Sequence, residues 1–92
     1  MEEIYERVNK VFCDVFDDNS IKVDAQTTSE DIEDWDSLEH INLIVAIENE
    51  FGVKFGMNEV TSMKNVGEMV KLINDKIWFT LYYLKWYNQK WY

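Results

Sequence analysis

The stretch Asp36-Ser37-Leu38-Glu39-His40-Ile41-Asn42-Leu43-Ile44-Val45-Ala46-Ile47-Glu48-Asn49-Glu50-Phe51-Gly52 decides how the chain is read. Asp36 is a strong N-cap residue, and Glu39, three places on, can reach back to the cap's own amide. Gly52 supplies a stop, so the spacing predicts a helix over 37–51. At about 100° per residue, Leu43, Ile44, Ile47 and Phe51 gather on one side, with Ile41 at its margin, and these are assigned to a core. Leu38 and Val45 fall roughly opposite, among Asn42, Asn49 and the acids Glu39 and Glu48. Packing within one domain gives no reason for apolar residues there. An apolar strip ringed by acids reads instead as a docking surface for a partner with a basic rim.

Ser37 occupies the first turn of this helix. First-turn amides have no intrahelical partner and the macrodipole is positive there, so a phosphate ester on the Ser37 oxygen would sit where a helix best tolerates negative charge.

Working outward, residues 2–16 carry Ile4, Val8, Val11, Phe12 and Val15 at helical spacing, and Asp17-Asp18-Asn19-Ser20 breaks that helix. A long connection follows, of a length that is unusual in a small domain and tends to be functional. Within it Ile21 and Val23 alternate against Lys22 as an extended segment, and Thr28 with Asp31 can cap a short turn carrying Ile32. After Gly52, Val53 and Phe55 read as an extended hook. Asn58 to Met63 is a turn or two of helix with Val60 and Met63 inward, and Asn65 caps a last helix striped by Val66, Met69, Val70 and Ile73. The expected fold is an all-α four-helix bundle, three longer helices and one short, with one domain at 1–76 and a C-terminal aromatic extension at 77–92.

That extension holds eight aromatics in sixteen residues. Leu81, Leu84 and Trp91 continue the stripe of Val66, Val70, Ile73 and Ile77, so the last helix is expected to run past Asp75 and to expose aromatics beyond the bundle. Such a patch suits self-association, a partner protein or a membrane surface, and it is too short to span a bilayer.

Eighteen acids face nine bases, a net charge of −9; all the acids lie in residues 1–76, where seven bases leave −11. A field of that sign repels nucleic acid and anionic membrane and favours basic protein partners. The single cysteine, Cys13, cannot form an internal disulfide and is expected to be an unreactive surface thiol. No basic start is followed by an apolar run, so a cytoplasmic setting is expected.

The run Trp35-Asp36-Ser37-Leu38 through Phe51-Gly52-Val53-Lys54-Phe55, followed by Lys64-Asn65-Val66-Gly67-Glu68-Met69-Val70, resembles the acyl carrier proteins over roughly residues 2–76. The resemblance implies a right-handed four-helix bundle and a serine, here Ser37, esterified with 4′-phosphopantetheine from coenzyme A, whose thiol carries an acyl group as a thioester. It implies that a phosphopantetheinyl transferase reads Asp36 and Leu38, and that Glu39, Asn42, Val45 and Glu48 fall where acyl-loading and acyl-transfer enzymes with basic surfaces dock. The pathway implied is fatty-acid, polyketide or specialised biosynthesis, and the protein is not an enzyme. The chain departs from the fatty-acid carriers in having Glu33-Asp34-Trp35 before the serine motif, Asn42 and Asn49 where an acid is common, and the aromatic extension.

Alternative readings are an aminoacyl or peptidyl carrier and a non-catalytic acidic interaction module. A hydrolase with His40 as base to Ser37 lacks a nucleophile elbow and an oxyanion-hole signal; His40 is expected to be a partly buried polar residue at the top of the bundle. The acids at 17–18 and 31–36 lack the alternating oxygens and the glycine of an EF-hand loop, so no metal site is expected.

Overall fold

The computed structural model describes residues 2–90, with side chains through Leu81. Four helices follow one another: α1 (Glu2–Phe16), α2 (Ser37–Phe51), α3 (Met57–Ser62) and α4 (Val66–Lys90). Among the described residues there is no strand. The core forms where three apolar stripes meet: Val8, Val11 and Phe12 from α1, Leu43, Ile44 and Ile47 from α2, and Val66, Met69, Val70 and Ile73 from α4. Each side chain of this size taken wholly out of water contributes roughly 1.5–3 kcal/mol. Val60 and Met63, around α3, close the bundle as partly buried neighbours of the core.

Helix ends follow the local chemistry. α1 stops at Asp17, whose φ of 50° is left-handed, a conformation Asp tolerates better than most residues, and the Asp18 amide donates back to the Cys13 carbonyl at 3.0 Å. α2 stops at Gly52 in the same region, φ 66°, with its amide donating to the Glu48 carbonyl. The Asn65 side chain caps α4 by accepting the Glu68 amide at 2.8 Å.

The long connection is a brace, anchored on two helices. Asn9 Nδ2 donates to the Ile21 carbonyl at 3.0 Å while Asn9 Oδ1 accepts the Val23 amide at 2.7 Å, so one side-chain amide replaces a neighbouring strand. Two residues on, the chain caps α4 from outside: the Val66 amide donates to the Thr27 carbonyl at 2.9 Å and the Gly67 amide to the Ala25 carbonyl at 3.1 Å. These are the amides a helix start leaves without partners. The Thr28–Asp31 turn forms as expected, with the Thr28 amide donating to Asp31 Oδ2 at 2.9 Å and the Asp31 amide to the Thr28 carbonyl at 3.0 Å. Ile32 and Trp35 then pack on the core.

Cys13 differs from expectation. It is half-buried, and its thiol donates to the Ile21 carbonyl at 3.6 Å, because the returning connection covers that side of α1.

α4 spans 25 residues against 15 for α1 and α2, about 37 Å of helix. Ile77 still packs on the core, whereas Trp78, Phe79 and Leu81 are 67%, 71% and 57% exposed. Leu81 thus keeps the helical register without finding cover. Leu84 and Trp91, the other expected members of that stripe, lie outside the described side chains. Among the described residues no helix is long and apolar enough to cross a membrane.

Candidate functional site

The segment before α2 fixes where the helix begins. The Trp35 amide donates to the Ile32 carbonyl at 3.1 Å and the Asp36 amide to the Asp34 carbonyl at 3.0 Å. Asp36 is then extended, φ −101° and ψ −174°, and its Oδ1 accepts the Glu39 amide at 2.8 Å. The expected reach of Glu39 back to the Asp36 amide is not made. That amide is already committed to Asp34, and Glu39 Oε1 instead accepts from Asn42 Nδ2 at 3.3 Å. Ser37 is the first residue of the helix and is exposed.

This arrangement fits a phosphate ester. The hydroxyl is open to an incoming group, and the amides of Ser37 and Leu38 have no carbonyl one turn back to accept them. Asp36 holds the helix start in place and Leu38, 69% exposed, stands beside the serine.

Below the serine, Leu38, Ile41 and Val45 lie at helical spacing and are 69%, 56% and 49% exposed. Ile41 is therefore not at the core margin, as the wheel suggested, but in the outward strip. Its spacing of three from Leu38 and four from Val45 is the signal that identifies it. Asn42 is exposed and Glu39 half-buried beside it. Glu48 sits differently from the others: its Oε2 accepts the Phe55 amide at 2.9 Å, tying α2 to the hook. Met57, at the start of α3, adds a side chain 78% exposed.

His40 does not serve Ser37. Its Nδ1 accepts from Trp35 Nε1 at 3.1 Å and its Nε2 lies 3.2 Å from the Val60 carbonyl, so both ring nitrogens are engaged away from the serine. Among the described residues no group of His, Cys, Asp and Glu side chains has the arrangement of a metal site. The Asp18 carboxyl is held below its ordinary value by the Ser20 hydroxyl and then by the Ser20 amide. Glu59 is likewise held low, first by the Gly56 amide and then by Lys76. Both acids are structural, in a turn and at the start of α3.

Residues 6–73 match the family model described as "Phosphopantetheine attachment site". The chain belongs to the acyl carrier protein family. It is 35% identical over 78 residues to the acyl carrier protein of Petrotoga mobilis, covering 83% of this chain and 89% of that one. It is 38% identical over 78 residues to the acyl carrier protein of Sinorhizobium fredii, covering 79% and 94%. The solution structure of holo acyl carrier protein from Geobacter metallireducens superposes with a TM-score of 0.79 at 39% identity, over 84% of this carrier and 88% of that chain. Acyl carrier proteins bear phosphopantetheine and are carriers rather than catalysts; a phosphopantetheinyl transferase and acyl-processing enzymes are their partners.

Proposed function

We propose that Ser37 is the residue that bears the 4′-phosphopantetheine arm. The observation that carries this reading is an exposed hydroxyl on the first turn of a helix whose start is set by the Asp36 cap. Coenzyme A is the donor, and Asp36 and Leu38 are the side chains the transferase reads on either side of the serine. Once attached, the arm supplies a thiol that holds cargo as a thioester; the carrier supplies attachment and recognition. The relatives that bear the name acyl carrier protein support an acyl cargo over an aminoacyl or peptidyl one. The cargo belongs to fatty-acid, polyketide or specialised biosynthesis, in a cytoplasmic setting.

Partner enzymes dock on α2 through Glu39, Asn42, Val45 and Glu48, to which Leu38 and Ile41 are added. The charge of −11 over residues 1–76 favours basic rims on those enzymes. Residues 1–76 act as the carrier unit with Ile77 packed on its core, and the extension's exposed side chains from Trp78 on are a separate contact surface for a protein, a second copy or a membrane.

Incubation with coenzyme A and a broad-specificity phosphopantetheinyl transferase is expected to add one arm, read by intact mass, and Ser37→Ala is expected to stay folded and gain nothing. Modification of the alanine variant overturns the assignment. Intact mass of the protein from its native host would identify the cargo.

A further inference from the structure

Three elements meet at the only histidine of the chain. The Trp35 indole, on the segment that leads into Ser37, stacks on the His40 ring with centroids 5.9 Å apart and donates from Nε1 to Nδ1 at 3.1 Å. An indole N–H can only donate, so Nδ1 carries no proton. The neutral ring therefore bears its proton on Nε2, 3.2 Å from the Val60 carbonyl on α3, and donates there. Trp35 in turn stands edge-on to the buried Phe12 of α1 at 5.2 Å. α3 has six residues and no buried side chain, so it contributes little to its own placement and a hydrogen bond from α2 matters to it.

We propose that His40 is a positioning residue: while neutral, it holds the approach to Ser37 and the short helix α3 in one fixed relation, and on protonation it releases Trp35. The proposal rests on Ser37 being the modified residue. The proton would enter at Nδ1, where it would meet the indole N–H head-on. The half-buried Trp35 donor then loses its acceptor, and the turn from Ile32 to Asp36 loses one of its ties to α2, the Asp36 cap on the Glu39 amide remaining. The Val60 bond survives protonation, so α3 keeps its tie to α2 while the approach to Ser37 comes loose. The ionisable groups that flank this cluster in sequence are Glu39 on α2, Asp34 and Asp36 on either side of Trp35, Glu59 beside Val60, and Asp17 beside Phe16, whose ring lies 6.3 Å from Trp35. Asp36 is committed to the Glu39 amide, and Glu59 to the Gly56 amide and Lys76. None of these replaces the acceptor that Trp35 loses.

The test uses full-length protein and compares wild type with Trp35→Phe, which keeps a ring on Phe12 but has no donor, and with His40→Gln, which cannot titrate. From about pH 8 to about pH 5, across the histidine range, the transferase KM for wild type should rise relative to both variants, with kcat moving in parallel in all three. The relative rise is expected to be on the order of fivefold, the worth of one net hydrogen bond. Over the same range, amide exchange in residues 32–36, corrected for intrinsic rates, should accelerate in wild type and stay level in the variants, while α3 stays level in all three. Parallel KM profiles together with parallel exchange overturn the proposal. A wild type that is never modified at any pH refutes the Ser37 reading instead, and the exchange data still decide the role of His40.

Discussion

Asn9 holds Ile21 and Val23 with the two ends of one amide, Nδ2 donating to the carbonyl of the first at 3.0 Å and Oδ1 accepting the amide of the second at 2.7 Å. Asn9→Ala removes both partners at once from a half-buried backbone. Loss of about 2 kcal/mol in urea unfolding is expected, from two net hydrogen bonds. Asn9→Asp should be no milder, because a carboxylate cannot donate to the Ile21 carbonyl. A neutral effect of both would show that the connection is held by its apolar side chains alone.

Gly67 is required by space. A Cβ there would stand 2.9 Å from the Ala25 carbonyl oxygen and 3.1 Å from Ala25 Cβ, where both the backbone contact and the cap on α4 are made. Gly67→Ala is expected to lower stability by roughly 1–3 kcal/mol, despite the better helix propensity of alanine. A melting temperature at or above wild type would mean that the connection yields without cost.

The proposed docking on the outward strip of α2 predicts two separable effects. Ile41→Ala and Val45→Ala should weaken docking of a cognate acyl-transfer enzyme at every ionic strength, while Glu39→Lys should slow association mainly at low salt. Glu48→Lys is predicted to differ from Glu39→Lys by also lowering the melting temperature, since it strips the Phe55 amide of its acceptor. Equal stability of the two charge reversals would show that the hook does not depend on Glu48.

Glu59 links stability to acid. Its folded value lies below the ordinary one, so its stabilising contribution is present at neutral pH and is lost as the pH falls through and below the usual glutamate range near about pH 4. Melting temperature should therefore decline more steeply on acidification in wild type than in Glu59→Gln, which already lacks the charge. The two curves should converge at the acid end; curves that stay parallel would remove Glu59 from the account.

Trp78, Phe79 and Leu81 lie past Ile77, the last core contact among the described side chains, so a chain ending at Ile77 should remain folded and accept the arm on Ser37, with any self-association or lipid binding reduced. Unfolding on that truncation would show that the extension contributes core.

The helices, their ends and the place of Ser37 were legible because each rests on a local rule: a stripe at helical spacing, a cap, a residue that accepts left-handed φ. What escaped were side chains whose partners are distant in sequence. Asn9 looks like a solvated position on α1, and nothing near it announces Ile21 and Val23. Glu48 reads as a surface acid until the hook after Gly52 brings the Phe55 amide back over it. Ile41 lies at the wheel boundary between the two faces, where only the neighbouring helices decide which side is covered. The capping box on α2 failed for the same reason, since the turn before Asp36 had already used its amide.

The brace between α1 and α2 also governs where this chain can change length. Residues 21–23 are tied to Asn9 and residues 25–27 to the first amides of α4, so only Asp24 separates two anchors on different helices. A residue inserted there has no slack to occupy and would pull one anchor away. The stretch from Ser29 to Asp34 is tied mainly to its own turns and is largely exposed. Natural relatives should differ in length in the latter stretch and not in the former, and a peptide tag spliced after Glu30 should leave both the bundle and the start of α2 at Ser37 undisturbed.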